Sequence, residues 1–198
     1  MDKYWTKYRV VIIITVFFVG FYLLSIQFDE WFTYTMPRHQ IIQLPLMFLL
    51  GVLLAQAFHS WRVKDLGWAI SGLIFIFSSI IFWMLPHSVD KAVIEPEFNK
   101  LMHVNMIISG ALLVAIYREL IFEVKIFFLG MLSAKLGAAG VIMKVFNLLL
   151  CSSFDIRQQK ETGNYFIFLA LVIFISTIVV FFRMPSIKSR ERSNFLGY

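Results

Sequence analysis

The sequence predicts an all-α fold: a polytopic integral membrane helical bundle of six transmembrane helices with both termini cytoplasmic. Three observations carry that prediction. The 198 residues are 60% hydrophobic and 15% charged, with 22 Phe, which is far more apolar than a soluble domain of this length. Six apolar runs reach bilayer length, and inside lipid a helix satisfies its own backbone hydrogen bonds along such a run. Basic residues gather in alternate connections between the runs. Little sequence remains outside the runs, so residues 1–198 read as a single transmembrane domain.

The first span, 10–26, follows Lys3, Lys7 and Arg9. That is how a signal peptide begins, but Ser25-Ile26-Gln27 lacks the small-x-small cleavage pattern, so the run is read as a retained helix. The second span, 41–59, ends at His59 beside Ser60 and Trp61, which reads as an interfacial position. The third, 66–85, closes on Trp83-Met84-Leu85-Pro86-His87, and the fourth, 101–117, opens on Leu101-Met102-His103. The fifth, 126–150, is long and contains Lys135 and Lys144, read as snorkelling anchors on a tilted helix. Its small residues Ser133, Ala134, Gly137, Ala138 and Gly140 favour close approach of another helix. The sixth, 165–182, precedes a basic tail containing Arg183, Lys188, Arg190 and Arg192.

On one side of the membrane lie Lys3, Lys7, Arg9, Arg62, Lys64, Arg118, Lys125 and the tail. The other side holds Arg38, Lys91, Lys100, Arg157 and Lys160, accompanied by Asp29, Glu30, Asp90, Glu95, Glu97, Asp155 and Glu161. The positive-inside rule assigns the first side to the cytoplasm, in a multi-pass protein of the cell membrane. This bias accounts for the net charge of +6 without a nucleic-acid partner, the tail facing anionic headgroups of the lipid bilayer instead. The outer connections, Gln27 to His39, Pro86 to Lys100 and Cys151 to Asn164, contain no Gly-rich phosphate loop and no Ser/His/Asp arrangement, so the chain is not read as an enzyme. Cys151 is the only cysteine and forms no intramolecular disulfide; a structural thiol is the expectation. A transport path along Lys135 and Lys144 is disfavoured, since neither an inverted repeat nor a broken helix pair is visible.

His39, His87 and His103 all fall at the extracytoplasmic ends of spans, where polar side chains are costly and commonly functional. His39 and Gln43, four apart, share a helix face, and His103 lies three residues before Met106 and next to Met102. Imidazole with thioether suits Cu(I). Spacing alone leaves two readings open: a soft-metal site, or Met packing with interfacial histidines bonded to headgroups and backbone.

Four segments, taken together, carry a family resemblance. His39-Gln40-Ile41-Ile42-Gln43-Leu44-Pro45-Leu46 resembles the His-x-x-Gln-His-Leu-Leu helix start of CtaG-type cytochrome oxidase assembly proteins. His103 through Gly110 is similar to their later helix, in which a histidine precedes a glycine by seven positions. Leu129 through Ala139 resembles their small-residue fifth helix. Asp155-Ile156-Arg157-Gln158-Gln159 with Gly163 is similar to the Asp-Gln-Gln-x-x-Gly opening of the next one. The segments cover residues 37–183 in the family's order, in the manner of a distant, archaeal-type relative. The sequence departs from the pattern where Gln43 replaces the second histidine of the first motif and Asn99 stands four before His103. The resemblance implies a helical membrane protein that hands copper to a haem-copper oxidase on the extracytoplasmic side. His39, His87 and His103 become the expected ligands, with Met84, Met102 and Met106 as soft auxiliaries and Asp155 as a supporting carboxylate. The second expectation is a non-catalytic accessory subunit packed against the other subunits of a terminal oxidase or an ammonia- or methane-type monooxygenase.

Overall fold

Each of the six apolar runs becomes a helix long enough and apolar enough to cross a membrane: Tyr8–Gln27, Arg38–Ala55, Leu66–Trp83, Pro96–Ile116, Phe122–Val145 and Ile156–Phe182. The computed structural model describes residues 2–58, 63–146 and 150–195, with side chains for 8–58, 63–146 and 150–182. His59 and Arg62 lie outside the described residues, as do the side chains of Lys3, Lys7, Arg183, Lys188, Arg190 and Arg192. All regular structure among the described residues is helical.

Helix α1 (Asp2–Tyr22) continues through widened turns at Leu23–Gln27, where the Phe28 N–H donates to the Leu23 carbonyl five residues back at 2.9 Å. A short α2 (Asp29–Thr33) follows. Helix α3 begins with widened turns at Arg38–Gln43 and then runs regularly over Leu44–Ala55. Pro45 has no N–H to give to the turn before it and crowds that turn sterically, which accounts for the widening there. Helix α4 (Leu66–Trp83) is capped by the Asp65 carboxylate, which accepts the Trp68 N–H at 3.0 Å. The stretch after it, expected as a connection, forms the short helix α5 (Pro86–Ile94), which buries Ser88, Val89 and Ala92. Then come α6 (Pro96–Ile116), α7 (Phe122–Val145) and α8 (Ile156–Phe195). Both α6 and α8 start before the apolar runs at 101 and 165, because their polar first turns are already helical.

The most extensive packing is α7 on α8 and α3 on α6, with α4 against α6 and α1 against α3. One apolar cluster joins Leu44, Met47 and Leu50 of α3 to Met102, Met106 and Ile107 of α6. A second joins α7 and α8 to Met36, Val89, Cys151 and Phe154. A third holds the opposite end of α4 to Ile116 and Leu120. Phe18, Ile74, Phe127, Phe168 and Phe182 stand exposed around the bundle. Their number suits a bilayer as surrounding solvent and would be a liability in water.

At one end of the bundle, hydrogen bonds join α1 to α6 (Ser25 to His103), α2 to α6 (Asp29 to Asn99), and α5 to the segment before α8 (Asp90 to Ser152 and Ser153). The candidate residues lie at this end.

Candidate functional site: a buried histidine pair

His39 sits in the widened first turns of α3 and His103 in the second turn of α6, and both side chains are fully buried. Each belongs to one of two helices, α3 and α6, that pack extensively on one another. The Nδ1 atom of each is held. That of His39 is 2.7 Å from Gln43 Oε1, and that of His103 is 2.8 Å from Ser25 Oγ. The Nε2 atoms have no hydrogen-bond partner.

The protonation of His39 follows from its neighbours. Gln43 Nε2 donates to the Leu24 carbonyl at 2.9 Å and to Asp29 Oδ1 at 2.8 Å, so the other atom of that amide must be the oxygen that faces His39. An amide oxygen only accepts, hence Nδ1 of His39 carries the proton and its Nε2 presents a bare lone pair. Asp29 is held in turn by Asn99, whose Nδ2 donates to both carboxylate oxygens at 2.9 Å. Half-buried Asp29 thus links the rim of the bundle through Gln43 to the enclosed imidazole.

Five buried side-chain polar atoms among the described residues lack a partner, and all belong to the facing helices α3 and α6: His39 Nε2, Gln40 Nε2, Asn99 Oδ1, His103 Nε2 and Ser109 Oγ. Leaving such an atom unsatisfied costs about 1–3 kcal/mol. A small polar guest or ion that reached such an atom would stabilise it. The sulfur-bearing residues Met47, Met102 and Met106 belong to the apolar cluster of the same two helices, Met102 next to His103 in sequence, Met106 one turn after it and Met47 two turns after His39.

The three histidines grouped by sequence separate here. His87 is exposed at the start of α5, away from the enclosed pair. Met84 packs in the α7–α8 cluster rather than with Met102 and Met106. Asp155 is exposed and accepts the Gln158 N–H at 2.7 Å, capping α8. Among the described residues, no group of three or more His, Cys, Asp or Glu side chains is arranged to hold a metal ion. Ser25, Asp29, Asn99 and Met47 are residues of this end that the residue pattern did not single out as candidates, whereas Gln43 was already expected on the His39 face. The signal available was polarity: Ser25 and Asp29 flank the end of the first apolar run, and Asn99 lies four residues, one helical turn, before His103.

Two groups outside the spans define the rest of this end. Burial tends to raise Asp90, but the backbone N–H groups of Ser153 (2.9 Å) and Ser152 (2.7 Å) and the Ser152 hydroxyl outweigh it and hold the carboxyl below its ordinary value. Burial, with the nearby Asp90 charge, pushes the Cys151 thiol up to about 12. Cys151 therefore stays protonated at neutral pH, and an inert structural thiol is the role that fits. No family model, curated protein or solved structure matches the chain.

Proposed function

We propose that this protein handles copper for a haem-copper oxidase or another membrane copper enzyme, taking Cu(I) between His39 and His103 at the extracytoplasmic end of the bundle and passing it on without catalysing a reaction. The observation that carries the reading is the pair of buried, unpartnered Nε2 atoms on two packed helices whose Nδ1 atoms are both held. A metal-binding histidine ordinarily has its second nitrogen fixed by a hydrogen bond, which sets the tautomer and aims the ring. Gln43 does this for His39, and Asp29 with Leu24 fixes Gln43.

The donor set favours Cu(I) over harder or more demanding ions. Structural zinc takes four ligands and catalytic zinc three from the protein, and the described residues offer no such set. Two imidazoles suffice for an ion that accepts low coordination, and thioethers at Met102, Met106 and Met47 are soft donors suited to receiving or releasing it by ligand exchange. The rim carboxylate of Asp29 would draw a cation toward the pair. Embedded in six apolar helices, the pair is shielded from bulk water, which opposes loss of the ion to solvent.

Anaerobic Cu(I) titration of the detergent-purified protein against a coloured chelator tests this. One Cu(I) per chain is expected, lost in the His39→Ala, His103→Ala double variant and retained in His87→Ala. Wild-type protein that takes no Cu(I) above background would overturn the proposal and leave the pair as a hydrated polar core.

A further inference from the structure

A cavity of about 620 Å³ opens between the first turns of α3 and α8, at the same end of the bundle as the histidine pair but with a different lining. Four charged residues line it: Arg38, Arg157, Asp155 and Glu161. None of the four is in an ion pair among the described residues, where the salt bridges are Lys91–Glu95 and Lys100–Glu97. Arg38 lies 4.2 Å over the Trp31 ring, which steadies the guanidinium plane and leaves its N–H edge for another partner. Asp155 spends one oxygen, Oδ1, on the α8 cap. Met36 N–H donates to Gln158 Oε1 at 3.3 Å and ties the two helix starts together beside the cavity.

The lining changes along the helices. Arg38 and Ile156 begin their spans, so the charges stand at headgroup level, while Ile41, Ile42 and Tyr165 continue the wall into the apolar zone. Ile42 is 41% exposed and Tyr165 44% exposed, which opens that wall to the acyl chains. A guest that matches must carry a negative and a positive group at the surface and hydrocarbon below.

We propose that this cavity binds phosphatidylethanolamine: Arg38 and Arg157 take the phosphodiester, and Asp155 and Glu161 take the primary ammonium. Arg suits phosphate because its planar fork donates two parallel hydrogen bonds. An anionic lipid would leave both carboxylates unpaired beside its own charge. A choline headgroup has a cation but no N–H to donate to them. A water-soluble headgroup would leave the apolar wall unused.

The test is lipid titration of the delipidated protein in detergent, read by native mass spectrometry, with phosphatidylethanolamine, phosphatidylcholine and phosphatidylglycerol of one acyl composition and with soluble glycerophosphoethanolamine. Phosphatidylethanolamine should bind about tenfold more tightly than either other lipid, the effect of one charge-assisted hydrogen bond. The Arg38→Gln, Arg157→Gln double variant should lose that binding, and Glu161→Gln should narrow the preference over phosphatidylcholine while keeping the lipid. Equal binding of the three lipids by wild type overturns the proposal, as does an unchanged preference in Glu161→Gln, which decides the matter even where the double variant does not fold. Glycerophosphoethanolamine binding as tightly as the lipid would overturn the membrane source.

Discussion

At the α3–α6 crossing a Cβ on Gly51 would meet the Ile107 carbonyl and one on Gly110 the Phe48 carbonyl, whereas at the α7–α8 crossing a Cβ on Gly140 would lie 2.6 Å from the Gly163 carbonyl and one on Gly163 would lie 2.8 Å from the Gly140 carbonyl. Reciprocal glycines thus bring two backbones together in both places, the usual device where lipid gives helices no hydrophobic reason to associate. The polar content of the two crossings differs. Between α7 and α8 the Ser133 hydroxyl donates to the Ala170 carbonyl at 2.8 Å, and no buried side-chain polar atom described on these helices is left without a partner. All the unpartnered buried side-chain atoms among the described residues lie on α3 and α6. Close backbone packing is common to both crossings, whereas unpartnered buried polar atoms are described on one pair of helices alone.

The largest expected effect breaks that comparison directly. Gly110→Ala drives a methyl into backbone, which has no rotamer to move, and overpacking of this kind costs about 1–3 kcal/mol and occasionally more. The variant should lose Cu(I) binding as well as thermal stability. Gly140→Ala should lower the melting temperature by less and leave Cu(I) affinity within about twofold of wild type, since well-separated sites act independently. Measuring both properties in both variants separates the regions. Equal loss of Cu(I) binding in Gly140→Ala would show that the two crossings form one unit.

A smaller effect sharpens the role of the polar network. Gln43→Leu removes the acceptor that fixes the His39 tautomer and one donor to Asp29, without touching a proposed ligand. Loss of such a supporting bond typically costs about 10–100-fold in metal affinity. The same titration should find that weakening. Affinity unaltered in Gln43→Leu would remove the network from the proposed mechanism.

Much of the fold, and less of this end of the bundle, is legible in the sequence. The spans were legible because an apolar run of bilayer length admits essentially one backbone solution. Their starts were less so: Pro96 to Lys100 and Ile156 to Asn164 are polar yet helical, and hydropathy ends where lipid ends rather than where hydrogen bonding does. His39 and His103 were legible as polar residues at span ends. Asp29 was hidden because its importance comes from convergence of α2, α3 and α6, residues 14 and 70 positions apart in sequence. Gln43 and Asn99, conspicuous as departures from the CtaG-type pattern, are the two side chains that hold that carboxylate. His87, by contrast, shares with the pair only its position at a span end, and the proline-led α5 leaves it exposed.

The smallest effect concerns the joint between the two regions. Asp90 belongs to α5, which packs on α6, and its carboxylate takes hydrogen bonds from Ser152 and Ser153 ahead of α8. Because folding holds this carboxyl below its ordinary value of 3.8, its contribution to stability is fully present above that value and is lost as the pH falls below it toward the folded-state value. Asp90→Asn should therefore melt slightly below wild type at neutral pH, and the gap should close in acid as the wild-type carboxyl takes up its proton. Melting curves of both proteins from neutral pH down past 3.8 give the comparison. A gap that stays constant into acid would mean that Asp90 joins the halves by shape and neutral hydrogen bonding, with its charge playing no part.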